Sequence, residues 1–224
     1  MLLILCALCT GACRKQEQEQ RKAFIEFLET ELMAAGADGV QMSEEMRKKV
    51  GSYSGHFDVI VTYSKELGDI NLRLVGEKTR IAANGPVPME KLGSERVRIE
   101  QLVAVLSRSV QHIDAVKAKA DAAKAALKQP EDVRAAFDRA YAKEISEYAA
   151  ASQALYVVQK DFYAEALRMS VFLEKHKEKV QFKNKTVTID ESTLLNEYNV
   201  LQKSLQEKSQ KMQAALAAGR SLAR

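Results

Sequence analysis

PEDVRAAFDRAYAKEISEYAAASQALYVVQKDFYAEALRMSVFLEKHKEK, residues 130–179, decides what kind of chain this is. Val133, Phe137, Tyr141, Ile145, Tyr148, Leu155, Val158, Phe162, Ala166, Met169 and Leu173 recur at the three- and four-residue steps of one helix face. No glycine or proline interrupts the run after Pro130. Proline suits the first turn of a helix, and Glu131 and Asp132 favour the positive end of its dipole, so a helix is expected to begin at Pro130. At 1.5 Å per residue it would reach about 70 Å as one rod, unless it breaks near Ser146.

Upstream, Leu102, Val103, Leu106, Val110, Ile113, Ala120 and Leu127 mark one side of a second long helix, starting near Ile99. Its alanine-rich end, Lys117 to Lys128, reads as a seam where small side chains let a partner helix come close. The two long patterns are expected to pack antiparallel. Asn84-Gly85-Pro86-Val87-Pro88 is the strongest break in the chain, because its prolines cannot sit inside a helix. Ahead of it, Phe24, Ile25, Phe27, Leu28, Leu32 and Met33 predict a helix from Gln16 to about Ala35. Ser43-Glu44-Glu45 predicts a capped short helix to Val50, and Gly51 and Gly55 frame a break. Val59-Ile60-Val61 alone would pass for a strand, but the pattern from Phe57 to Val75 persists beyond strand length and favours helix.

Beyond residue 179, Val180-Gln181-Phe182 and Thr186-Val187-Thr188-Ile189 alternate with period two around Lys183-Asn184-Lys185, a hairpin signal. An isolated hairpin is marginal in water, so it should lean on the helices. Asp190 or Ser192 should cap a last helix lined by Leu194, Tyr198, Leu201, Leu205, Met212 and Ala215. The fold class expected is therefore mainly α: long amphipathic helices packed as a bundle, with one small β-hairpin near 180–189.

The N-terminus has a different character. Met1 to Cys13 carries no charge and holds all three cysteines, whereas Arg14-Lys15-Gln16-Glu17 begins a run of charge and amide. Leu2 to Leu8 is an apolar segment of the length found in export signals, and Thr10-Gly11-Ala12 supplies the small residues before a cleavage point. A cysteine directly after them looks like a bacterial lipobox, which implies that Cys13 becomes the acylated first residue of the mature protein. Thr10 stands where a large aliphatic residue is usual. Such an apolar run is too short to span a bilayer, which takes about 20 residues. The domain reading is 1–12 as lipoprotein signal peptide, 13–22 as lipidated Cys13 and polar tether, and 23–224 as a single helical domain with a front part, 23–83, and a back part, 89–224. With no cysteine after Cys13, that domain depends on packing alone. By resemblance to enterobacterial lipoproteins, where an aspartate after the cysteine retains the protein in the inner membrane, Arg14 implies the outer membrane.

Motifs that carry chemistry are weak. His56, His112 and His176 lie far apart and in no metal-ligand spacing, and read as solvated or helix-flank residues. Cys6-Ala7-Leu8-Cys9 lacks the context of a redox or metal site. Gly51-Ser52-Tyr53-Ser54-Gly55 puts Tyr53 where a nucleophile elbow needs serine, and Gly76-Glu77-Lys78-Thr79 is no phosphate loop. No catalytic, metal or cofactor residue is expected, and no enzyme. A net charge of +4 spread over 34 basic and 30 acidic residues does not make a nucleic-acid-binding face. Arg47-Lys48-Lys49 and Lys175-His176-Lys177-Glu178-Lys179 read as solvated helix ends more than as lipid-binding patches.

Gln20 to Leu28, Ala120 to Gln129 with Phe137-Asp138-Arg139-Ala140-Tyr141, and Glu197-Tyr198-Asn199 resemble the YiaF-like family of bacterial lipoproteins, a domain of unknown function, in register over most of the chain. The resemblance implies a lipidated envelope protein and no activity. Within that family prolines occur in place of Ser146 to Ala151, which implies a helix break there, although this chain has none in that stretch. The functional expectation is a non-enzymatic envelope protein, bound to the membrane through Cys13 and facing the periplasm, whose helices bind an envelope partner or self-associate. The alternative is a carrier or sensor of a small apolar ligand or lipid, with Phe137, Tyr141, Tyr148, Tyr156, Phe162 and Tyr163 around a cavity.

Overall fold

The apolar faces read from the sequence are helical in the computed structural model, which describes residues 4–81, 87–183 and 186–222, with side chains over 14–81, 87–183 and 186–218. Helix α1 (Ile4–Phe27) widens into a π-helical turn (Leu28–Leu32) and closes as α2 (Met33–Ala35). Gly36 ends it at φ 73° and ψ 165°, backbone that a Cβ would strain. Helix α3 (Glu44–Val50) is capped as its sequence predicts, the Ser43 hydroxyl accepting the Met46 N–H at 3.1 Å. A 3₁₀ turn (Gly51–Tyr53) leads into α4 (Ser54–Ile81). Only Gly51 makes the break. Gly55 lies inside α4 with open space around a Cβ position, whereas Gly51 sits at φ 59°. Val59-Ile60-Val61 is helix, as the longer pattern requires.

A second 3₁₀ segment (Met89–Glu95), entered through extended Pro88, precedes α5 (Arg96–Ala125). Asn84, Gly85 and Pro86 of the expected break lie outside the described residues. Pro130 then takes the N-cap of α6 (Glu131–Tyr141), and helix continues through a π-helical turn (Ala142–Glu147) into α7 (Tyr148–Lys175). The chain does not break near Ser146. The π-helical turn takes up an extra residue there, so the buried face steps Phe137, Tyr141, Ile145, Ala149 by fours and Tyr148 turns outward, 49% exposed. Strands β1 (Gln181–Lys183) and β2 (Thr186–Thr188) pair antiparallel with Phe182 opposite Val187, the expected hairpin, although Asn184 and Lys185 of its turn lie outside the described residues. Helix α8 (Ser192–Leu222) starts at Ser192, one of the two expected positions, with the Leu195 N–H donating to the Glu191 carbonyl at 2.9 Å.

The chain divides into two compact units, each drawn from two stretches of sequence: Met1–Asp69 with Asp114–Ala149, and Ile70–Ile113 with Ala150–Arg224. In the first, Phe24, Phe27, Leu28 and Leu32, then Tyr53, Phe57 and Ile60, and then Val133, Phe137 and Ile145 of α6 and its π-helical turn are all buried. Ring pairs fix the geometry: Phe24 stacks on Tyr53 at 5.7 Å and Phe27 meets Phe57 edge-on at 5.0 Å. The end of α5 runs antiparallel to α6, as expected, with Tyr141 donating to Asp121 at 2.6 Å and Lys124 ion-paired to Asp138 at 2.8 Å. The alanine-rich seam is corrected here. Ala120 is buried, but Ala118, Ala122, Ala125 and Ala126 are not, so most of these small residues serve helix propensity and not close approach.

In the second unit, Leu92, Ile99, Met169, Phe172, Leu173 and Tyr198 form the core, and the hairpin leans on it through buried Val180 and Ile189 and half-buried Phe182 and Val187. Gly93 permits this packing, since a Cβ there would stand 3.3 Å from the Glu174 backbone nitrogen. On α8, Leu194, Tyr198 and Leu201 are buried, while Leu205, Met212 and Ala215 further along the same stripe are half-buried.

Candidate functional site

Cys13 falls within the span of α1, but its side chain lies outside the described residues. The chain continues beyond it as helix. Arg14 to Glu19 are exposed, Gln20 and Arg21 half-buried, and Ala23 is the first buried residue among the described side chains. From Cys13 to Ala23 the helix rises about 15 Å. Among the described residues no helix is long and apolar enough to cross a membrane.

Beside this part of α1 lies a hollow of about 650 Å³, lined by Glu17, by Ser52, Tyr53 and His56, and by the α5–α6 connection Leu127–Pro130 together with Arg134. Each lining group has a local reason for its place. Gly51, at φ 59°, turns the chain so that Ser52 and Tyr53 face back toward α1, with so little room that a Cβ there would collide with the Gln20 amide. The extended Pro130 directs Lys128 and Gln129 to the same side before α6 begins.

His56 forms the wall of the hollow. Its ring meets Phe24 at 6.0 Å, Tyr53 at 5.2 Å and Phe137 at 6.4 Å, edge-on in each case, and its Nδ1 lies 3.2 Å from the Gln129 Nε2. Burial holds its pKa below the ordinary histidine value. Of the expected solvated or helix-flank positions His56 takes the second, half-buried in the first turn of α4: Tyr53 ends the 3₁₀ turn before it, Phe57 follows it, and the apolar partners Phe24 and Phe137 come from distant sequence. His112 is exposed and His176 packs on Phe172 at 4.9 Å. No group of three potential metal ligands occurs among the described residues.

Charges around the hollow are unequally paired. Glu17 accepts from Arg21 at 3.1 Å (Nε) and 2.5 Å (Nη2), and the same guanidinium reaches Asp132 at 3.9 Å. Arg134 donates to the Gln129 carbonyl at 3.2 Å. Among the described residues Lys128 has no carboxylate partner.

A second, smaller hollow of about 230 Å³ lies between α4 and α5, lined by Val59, Tyr63, Val116, Ala120 and Ala123 with Glu66 and Lys119 at its edge. The Tyr63 hydroxyl is buried without a hydrogen-bond partner among the described residues. Burial first, then Tyr148 and Asp121, push its pKa up to about 12, so it stays a neutral donor. In the other unit, Lys78 of the Gly76-Glu77-Lys78-Thr79 segment is on a helix, donates to Gln159, and is held below the usual lysine range by burial.

The basic clusters are helix ends. Arg47 pairs with Asp58 at 2.9 Å in the last turn of α3, and Lys175, Lys177 and Lys179 are exposed, Lys179 meeting Glu191 at 2.8 Å. Exposed pairs of this kind contribute about 0–1 kcal/mol. Changing Lys175, Lys177 and Lys179 together to glutamine should therefore leave the far-ultraviolet circular dichroism and the melting temperature essentially unchanged. A collapse of helicity would contradict the placement.

Residues 1–219 match the family described as "Protein of unknown function (DUF3053)". The chain is 25% identical over 201 residues to "Uncharacterized protein YiaF" of Escherichia coli (strain K12), an alignment covering 88% of this chain and 84% of that protein. The same values hold for the protein of that name in Shigella flexneri. No solved structure matches. With the family match running from the N-terminal segment through both helical units and the hairpin, this chain belongs to the DUF3053 family of proteins of unknown function, and is YiaF-like.

Proposed function

We propose that the protein is a lipid-anchored cell-envelope protein, held by acyl chains on Cys13 at the periplasmic face of a membrane, with the outer membrane favoured by Arg14. Its helical body acts there as a non-enzymatic binding or structural domain. The observation that carries this reading is the uncharged segment to Cys13, with small residues before the cysteine and a charged run at once after it. Two or three acyl chains hold a soluble domain at a bilayer stably, whereas one gives marginal binding. Helix α1 adds a mechanical element: it runs from Cys13 into the core as continuous helix, so that buried Ala23 would lie about 15 Å along it from the acylated residue.

Binding is favoured over catalysis by how His56 is held, between rings and with Nδ1 engaged by Gln129. The carrier reading needs its six aromatics around a cavity. Phe137, Tyr141 and Tyr156 are instead buried and Tyr148 is exposed, which favours the binding or structural role.

Intact mass and membrane fractionation of the wild type and Cys13→Ala, expressed from the full reading frame, test the proposal. Wild type should begin at an acylated Cys13 and sediment with membranes, and the variant should leave them. A wild-type protein that keeps Met1, carries no lipid and stays soluble would overturn it.

A further inference from the structure

We propose that the hollow beside α1 is a binding site for the phosphate-bearing headgroup of an anionic glycerophospholipid, with Lys128 and Arg134 holding the phosphate and Ser52 positioned for a headgroup hydroxyl. Its setting in the membrane rests on the lipid-anchored reading above; its chemistry does not. The hollow's own carboxylate, Glu17, is taken up by Arg21. Lys128 lacks a carboxylate partner among the described residues, and the Arg134 guanidinium donates through Nη2 to a backbone carbonyl, with further N–H groups to offer. Of the acids nearby, Asp132 accepts the Val133 N–H at 2.9 Å and lies close to Arg21, and exposed Glu131 is not part of the lining. The lining therefore keeps an excess of positive charge, and charge-assisted hydrogen bonds to a phosphate would neutralise it.

Position and size point to the same ligand. Glu17 lies one helical turn beyond Cys13, about 6 Å along α1. A hollow at that height above an acylated residue is level with the headgroups, not with bulk solvent. Its volume of about 650 Å³ lies within the range of about 300–1,000 Å³ typical of small-molecule sites. The clusters at Arg47–Lys49 and Lys175–Lys179 carry similar charge and, like Lys128 and Arg134, are largely exposed, but Arg47 pairs with Asp58, Lys179 with Glu191, and neither cluster lines this hollow.

The test is calorimetric titration of the full chain, purified in a non-ionic detergent, with dihexanoylphosphatidylglycerol below its micelle concentration, and in parallel with inorganic phosphate. Wild type should bind the lipid more tightly than phosphate. Lys128→Gln with Arg134→Gln should weaken lipid binding roughly 30-fold, about 2 kcal/mol at 1.4 kcal/mol per tenfold. The charge-conserving pair Lys128→Arg with Arg134→Lys should stay within about threefold on the same scale. Lys175→Gln with Lys177→Gln removes as much charge elsewhere and should change nothing. No binding by wild type, an equal loss in the Lys175/Lys177 control, or no loss in the Lys128/Arg134 variant would each overturn the site. Phosphate binding as tight as the lipid would overturn the headgroup assignment. Because the titration needs no acyl anchor, repeating it on Cys13→Ala separates failure of this site from failure of the anchor.

Discussion

Replacing Phe137 with alanine should cost about 3–5 kcal/mol of unfolding free energy, read as a lowered urea midpoint at unchanged slope. The side chain is fully buried. Its ring lies 6.4 Å from His56, edge-on, and 6.1 Å from Tyr141, so its loss removes burial and two aromatic contacts at once. The helices on either side are held by other anchors, including the Tyr141–Asp121 hydrogen bond at 2.6 Å, and cannot collapse fully into the space left behind. Tyr148→Ala on the same continuous helical run is the contrast. With that side chain half-exposed, its cost should stay near the roughly 0.5 kcal/mol typical of surface positions. Equal effects at the two residues would refute the phase change assigned to the π-helical turn.

In the other unit, Leu106→Ala should cost about 2–5 kcal/mol, again with helicity retained until the transition. Leu106 is fully buried in α5, beside buried Leu102 and Val105 and one turn before Ser109, whose hydroxyl donates to the Val105 carbonyl at 3.0 Å. The neighbourhood is thus closed to water, and the missing methyl groups would leave a cavity instead of a hydrated dent. Val97→Ala, at a site 66% exposed on the same helix, should be close to neutral. A Leu106→Ala melting temperature equal to that of wild type would remove this residue from the core.

Much of the fold is legible in the sequence because helix faces are local. The spacing from Val133 to Ile145 and from Leu102 to Ile113 needs only the 3.6-residue repeat to be read, and Ser43, Pro130 and the period-two hairpin each act over a few residues. The departures have physical causes. A constant helical period puts Tyr148 on the buried face, and the π-helical turn at Ala142–Glu147 breaks that period without any proline or glycine to announce it. Gly55 has the residue type of a breaker, yet a helix position with open space around it tolerates glycine at a modest cost. Alanines after Lys117 carry the same letters whether they pack or face water.

The candidate site is much less legible than the helices. Glu17, Ser52, His56, Lys128 and Arg134 come from separate stretches, and nothing in any one of them marks a hollow. His56 is instructive: its helical neighbours Tyr53 and Phe57 are visible in the sequence, but the rings of Phe24 and Phe137 that enclose it cannot be assigned to it without the fold.

Residue type and short-range periodicity suffice for the helical character of this protein, the hairpin, the cysteine-free body and the uncharged segment ending at Cys13. Tertiary structure alone decided that residues up to Asp69 join Asp114–Ala149 in one unit while Ile70–Ile113 joins the remainder. It also decided which cations lack a carboxylate and which histidine is enclosed. Those outcomes depend on which distant side chains meet, and a helical repeat fixes which face is apolar without fixing what that face is buried against.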